Sequence, residues 1–140
     1  MTLEAWAFPT ANGGWRTVMI KERPGNLVYA LYANSDVNRP QVYGFTSSEA
    51  FAQGTAQIAN NAWTHLAATY DGSTLRLYVN GVAVGSKAMT GSLIKSTGGL
   101  RIGGNTVWGE WFKGRLDDVR VYNRSLSASE IQTDMGRAVT

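Results

Sequence analysis

Ten carboxylates and one histidine are the side chains of this chain that could do acid, base or metal chemistry, and their spacing argues against catalysis. Glycoside hydrolysis needs two carboxylates facing one substrate, which on a strand means alternate positions. Glu4, Glu22, Glu49, Glu110 and Glu130 are scattered, while Asp117 and Asp118 are adjacent, so a regular strand would turn those two to opposite faces. There is no cysteine and no G-x-S-x-G elbow, and His65, inside WTHLAATY, reads as a structural residue on a strand. Zinc is improbable with one His and no Cys. Calcium takes six to eight oxygens, and Asp117 and Asp118 are its candidate ligands, although no loop carries the acidic ladder of an EF-hand. The expectation is a protein that is not an enzyme.

Aromatic rings offer a different chemistry. A flat indole or phenol covers the C–H face of a sugar, while amides, Arg and carboxylates fork onto its hydroxyl pairs. Trp108 and Trp111 straddle Gly109 and Glu110 in a glycine-flanked loop, and Trp15 follows Asn12, Gly13 and Gly14. With Asn105 beside that loop, and Tyr32 and Tyr43 on neighbouring predicted strands, these form the candidate ligand-binding set. Trp6 and Trp63 lie within strand-like segments and are assigned to the core.

The elements that must position these rings follow from composition and patterning. The chain has 140 residues, 44% hydrophobic and only 16% charged, with 16 Gly, 3 Pro, 5 Trp and 6 Tyr. That balance favours short strands and tight turns over salt-bridged helices, in a chain long enough for one core without disulfides. The net charge of +3 is spread without any basic run, so no nucleic-acid footprint exists. No apolar run is long enough to span a membrane, and MTLEAWAFP has no signal-peptide pattern.

Strands are expected over Thr2–Phe8, Trp15–Lys21, Leu27–Ala33, Gln41–Thr46, Trp63–Tyr70, Thr74–Asn80 and Val82–Lys87, with further ones at Leu100 to Ile102 and within Phe112–Asn123. Asn80-Gly81 is the type I′ hairpin pair. The Ala- and Ser-rich stretch Ser47–Ala62 reads as a loop with one short strand near Gln57. Ser127 and Glu130 fit a capping box, which places a single helix over Ala128–Met135. About ten short strands and one terminal helix specify an all-β sandwich of two antiparallel sheets.

Three segments carry the reading further: LEAWAFP at Leu3 to Pro9, WTHLAATYDGSTLRLYVNGVAVG at Trp63 to Gly85, and GRLDDVRVYNRSLSASEI at Gly114 to Ile131. Together they resemble the laminin G-like jelly-roll domains of the concanavalin A-like lectin and glucanase superfamily, in the right order over nearly the whole chain. The resemblance implies one jelly-roll domain over 1–140, whose concave face or rim loops bind carbohydrate or protein, sometimes with calcium. It implies an extracellular, cell-surface or phage-particle setting within a larger protein or assembly. Such domains usually open with a further strand before the segment matching LEAWAFP. Its lack here implies an unpaired edge beside Leu3–Phe8 and homo-oligomerisation or strand donation through it. Two functions follow. The first is a non-catalytic, lectin-like recognition module binding a glycan or glycosylated surface through rim aromatics. The second is a structural, assembly or adhesion subunit, such as a shell or fibre protein, associating through strand edges and sheet faces.

Overall fold

Period-two alternation builds ten strands, and the computed structural model describes all residues, 1–140. They are β1 (Thr2–Pro9), β2 (Arg16–Arg23), β3 (Asn26–Asn34), β4 (Gln41–Phe45), β5 (Glu49–Gln53), β6 (Thr64–Tyr70), β7 (Thr74–Val79), β8 (Val82–Ala88), β9 (Leu100–Ile102) and β10 (Gly114–Tyr122), followed by α1 (Ala128–Met135). One sheet runs β10-β1-β6-β7-β8 and the other β5-β4-β3-β2-β9. Every pairing is antiparallel. This is the jelly-roll sandwich.

The inner faces meet in one apolar cluster. Leu3, Ala5 and Ala7 of β1, Leu66 and Ala68 of β6 and Leu75 and Leu77 of β7 pack against Val18, Met19, Leu31, Ala33, Val42 and Ala52 of the second sheet. Removing that area from water is the main force joining the sheets. The β7–β8 turn has positive φ at both Asn80 (50°) and Gly81 (75°), as a type I′ turn requires. At the other end the Ser127 hydroxyl accepts from the Glu130 amide and the Glu130 carboxylate accepts from Ser127 N, closing the capping box. Ile131 of α1 and Leu126 then cover Ala67 and Tyr78 on the outer face of the first sheet. The Thr2 hydroxyl anchors this segment, donating to Arg124 O (2.8 Å) and accepting from Leu126 N (2.8 Å).

Three expectations are corrected. The strand expected near Gln57 lies earlier, at β5, where Glu49–Gln53 pairs along all of β4. Tertiary pairing there overrides the weak β preference of Ala and Glu. Second, β1 has no free edge. It is hydrogen-bonded to β6 on one side and to β10 on the other, so the edge expected to drive homo-oligomerisation or strand donation is already filled from within the chain. Third, Trp63 is 41% exposed and Trp6 only half-buried, so neither is a core residue.

One buried group is held against its chemistry. Glu4 is fully buried on β1 without a hydrogen-bond partner on either carboxylate oxygen, and the His65 ring nitrogens on β6 are likewise unpaired. Burial first, and then the Asp134 carboxylate, push Glu4 up to about 7, with Arg120 opposing. Burial and then Arg120 lower His65 to about 4, against Asp134 and Asp118. Because folding raises the pKa of Glu4, its protonated form favours the fold at low pH. That contribution is lost as pH rises from about 4.5 through about 7. Glu4→Gln is therefore expected to be more stable than wild type at pH 8 by roughly 1–3 kcal/mol, with the gap closing toward pH 4.5. Urea denaturation at both pH values measures it, since His65 titrates in both proteins and cancels; a pH-independent difference would refute the assignment.

Candidate functional site

The outer face of the second sheet carries a row of rings, because alternation that sends Leu31, Val42 and Ala52 into the core sends their neighbours out. Tyr32 of β3, Tyr43 of β4 and Phe51 of β5 lie side by side, and Trp15 closes the row from the segment before β2. Ring centroids are 4.9 Å apart for Trp15 and Tyr32, 5.9 Å for Tyr32 and Tyr43, and 5.3 Å for Tyr43 and Phe51, the last pair stacked at 24°. Phe51 is 47% exposed. Beside the row the Tyr43 hydroxyl donates to Gln41 Oε1 (2.9 Å), and Gln41 Nε2 donates to Gln53 Oε1 (3.1 Å). Those contacts fix amide groups along the same face.

Trp108 overhangs the row from the loop after β9 and is 48% exposed. With Trp15, Leu27, Tyr32, Tyr43, Glu49 and Glu110 it encloses a groove of about 230 Å³. Larger hollows lie beside α1 (about 370 Å³) and at the β2–β3 turn (about 490 Å³), but their mainly polar walls hold at most one ring. Of these three, only the aromatic groove offers several ring faces to one ligand.

The overhanging loop is pinned by two buried polar side chains. Asn105 donates from Nδ2 to Thr17 Oγ1 (3.0 Å) and Glu110 Oε2 (2.7 Å), and its Oδ1 accepts from the amides of Trp108 (2.7 Å) and Gly109 (3.2 Å). Glu22 accepts from Arg101 Nε (2.8 Å) and from the Thr106 amide (2.7 Å) and hydroxyl. Burial would raise the Glu22 carboxyl, but those donors outweigh it and hold it below the usual range. Tyr32 donates its hydroxyl to Glu110 Oε2 (2.9 Å). Burial and then that carboxylate push Tyr32 far above the ordinary phenol range. Burial, with Glu49 next, pushes Tyr43 up to about 12, so both phenols are donors at neutral pH.

The sequence-derived residues therefore separate. Trp15, Tyr32, Tyr43 and Trp108 converge on one groove. Asn105 is buried with both its amide atoms engaged inside the loop, so it positions Trp108 and cannot itself reach a ligand. Trp111 is 57% exposed but lies flat against Gly104, outside the groove, where any Cβ would collide with its ring. Glu49, Glu110 and Leu27 were not anticipated in this role. Glu110 sits between the two loop tryptophans, and Glu49 alternates with Phe51 and Gln53, a signal readable only once β5 is placed.

Asp117 and Asp118 do not behave as a pair. Asp118 has φ 47°, and the register of β10 against β1 shifts there, which forms a bulge. Asp117 Oδ1 accepts from the Asp118 amide (2.8 Å), while Asp118 Oδ1 accepts from the Val139 amide (2.7 Å). No third acidic or histidine side chain joins them.

A laminin G family model, described as the concanavalin A-like lectin/glucanases superfamily, matches residues 1–132, and the chain belongs to that superfamily. Among solved structures, it is similar to domain 4 of AbnA, a GH43 extracellular arabinanase from Geobacillus stearothermophilus, in complex with arabinotriose. That match has TM-score 0.80 and 20% identity over 95% of this chain and 65% of the other. A candidate carbohydrate binding protein from Bacteroides ovatus gives TM-score 0.79 and 23% identity over 94% of this chain and 39% of the other. The CBM40 of a Ruminococcus gnavus IT-sialidase, bound to α2,3 sialyllactose, gives TM-score 0.77 and 16% identity over 94% and 80%. This chain thus spans less than two thirds of the first two, and at these identities the likeness is one of fold. No helix is long and apolar enough to cross a membrane.

Asn105→Ala is expected to cost roughly 1–3 kcal/mol, since it strands the Thr17 hydroxyl and the Trp108 and Gly109 amides. Amide exchange should accelerate at Trp108 and Gly109 while the β3 and β4 amides keep their protection; unchanged exchange in the loop would refute Asn105 as its anchor.

Proposed function

We propose, starting from membership of the concanavalin A-like lectin/glucanase superfamily, that this chain is a non-catalytic carbohydrate-recognition module holding a glycan in the groove between Trp15, Tyr43 and Trp108. The observation that carries this is the row of rings on the outer face of the second sheet, overhung by Trp108 and bordered by fixed amides and carboxylates. Rings supply surface for the C–H faces of successive sugar units, and Glu49, with Gln53 on the same face of β5, supplies partners for their hydroxyls. The arabinanase domain and the sialidase module, of the same fold, are described with oligosaccharides bound, which supports the same class of ligand here. An extracellular setting goes with that reading, as it does for the arabinanase.

The groove's charge narrows the ligand. Glu49 and Glu110 both line it and no Lys or Arg does, so a neutral glycan is favoured over a sialylated or uronic one. Glu110 Oε2 already accepts from Tyr32 and Asn105, which suits an orienting acceptor better than a proton-transferring acid. The assembly reading loses the open β1 edge that motivated it.

Titration of the protein with a panel of neutral oligosaccharides that includes arabinotriose, and with 3′-sialyllactose, tests this by tryptophan fluorescence. Saturable binding of a neutral member is expected, weakened about tenfold or more by Tyr43→Ala or Trp108→Ala, since one lost ring contact is worth about 1.4 kcal/mol or more. Circular dichroism should stay unchanged in both variants. Binding that both substitutions leave intact, or a preference for the sialylated ligand, would overturn the assignment.

A further inference from the structure

The opposite face of the sandwich carries a second set of rings. On the outer face of the first sheet, Trp6 of β1 pairs across to Asp117 of β10, and Phe8 pairs to Arg115. Trp63, just before β6, packs on Phe8 with ring centroids 5.4 Å apart. Trp6, Trp63 and Asp117 line an open cleft of about 290 Å³. The helix α1 covers this face only around Ala67, Tyr78 and Tyr122, which leaves the Trp6 and Trp63 end uncovered.

The bulge at Asp118 creates this arrangement. In an unbroken strand Asp117 and Arg120 would face opposite ways, yet Arg120 stands opposite Glu4 and Asp117 opposite Trp6, two positions on the same face of β1. The extra residue re-aims Asp117 and Arg115 to the side of the tryptophans. Neither arrives with an ionic partner. Asp117 accepts one hydrogen bond, from the neighbouring amide to Oδ1, and neither residue joins any of the chain's three salt bridges. The Arg115 guanidinium lies over Phe8, 4.2 Å from the ring centroid, and 5.6 Å from that of Trp63.

We propose that this cleft is a second sugar site, binding a single neutral pyranose or furanose ring at the end or along the length of a glycan. The indoles of Trp6 and Trp63 take the C–H face. Asp117 accepts from one hydroxyl pair, and Arg115 donates to the ring or hydroxyl oxygens beside it. One acidic and one basic group at the rim cancel, which favours an uncharged amphipathic ligand over an ion. With the groove on one sheet and this cleft on the other, the two sites face away from each other. One molecule then bridges two glycan chains or two stretches of a polymer, and gains affinity by multivalency. The cleft takes the groove's class of ligand but depends on none of its residues.

Indole N–H signals in NMR separate the sites. With the same neutral panel including arabinotriose, signals of Trp6 and Trp63 are expected to move along with those of Trp15 and Trp108. In Tyr43→Ala the Trp6 and Trp63 shifts should persist. In Trp63→Ala, and in the milder Asp117→Asn that keeps every ring, the cleft response should weaken about tenfold while Trp15 and Trp108 respond as before. Cleft signals that stay still while the groove responds would overturn the second site and leave the groove standing, and the converse would do the opposite. Concentration-dependent broadening of Trp63 without sugar, abolished by Trp63→Ala, would assign the cleft to self-association and overturn it as a sugar site.

Discussion

Alternation along β4, β5 and the Tyr29–Ala33 stretch of β3 is the constraint from which the rest of this molecule follows. Each residue sent inward, Leu31, Val42 or Ala52, obliges its neighbour outward, so packing the core and laying out Tyr32, Tyr43 and Phe51 are one event. A one-residue slip in any of these pairings would bury the rings' positions and expose the core. The core's hydrophobic demand for one register therefore fixes the spacing of the aromatic row. The aromatic row is built on sheet geometry, which is stiffer than loop geometry.

What the sheet cannot supply is a wall, and the long loop after β9 provides it. A loop of that kind holds its shape only if its backbone polar groups find partners. Asn105 and Glu22 supply them, each buried and each satisfied by several loop atoms, so that Trp108 is held at the groove it lines with Tyr43. Satisfied polar burial stabilises here, in contrast to Glu4 and His65, whose unpaired atoms are buried at a cost in stability.

The first sheet shows how one irregular residue changes a surface. Positive φ at Asp118 is unusual for a residue with a side chain, and its effect is to shift the face that Asp117 and Arg115 occupy. The same bulge divides the two aspartates between the tryptophan cleft and the C-terminal segment at Val139.

The sandwich, the Asn80-Gly81 turn, the capping box and the helix Ala128–Met135 were legible because each depends on neighbours in the chain: alternation, positive-φ residues, and a Ser three positions before a Glu. That the chain holds more aromatic rings than its core needs was legible too, and Trp15, Tyr32, Tyr43 and Trp108 do meet. Elsewhere local reading failed for definable reasons. The strand β5 is written in Ala and Glu and exists through its pairing with β4. The closing of β1 against β10 joins residues more than a hundred positions apart. The amino-acid sequence by itself determined which segments extend, where they turn and how much aromatic surface is on offer, since those follow from local sterics and polarity. Tertiary structure alone decided which face each ring and carboxylate occupies, because that depends on register, a single bulge and the long-range hydrogen bonds that hold one loop in place.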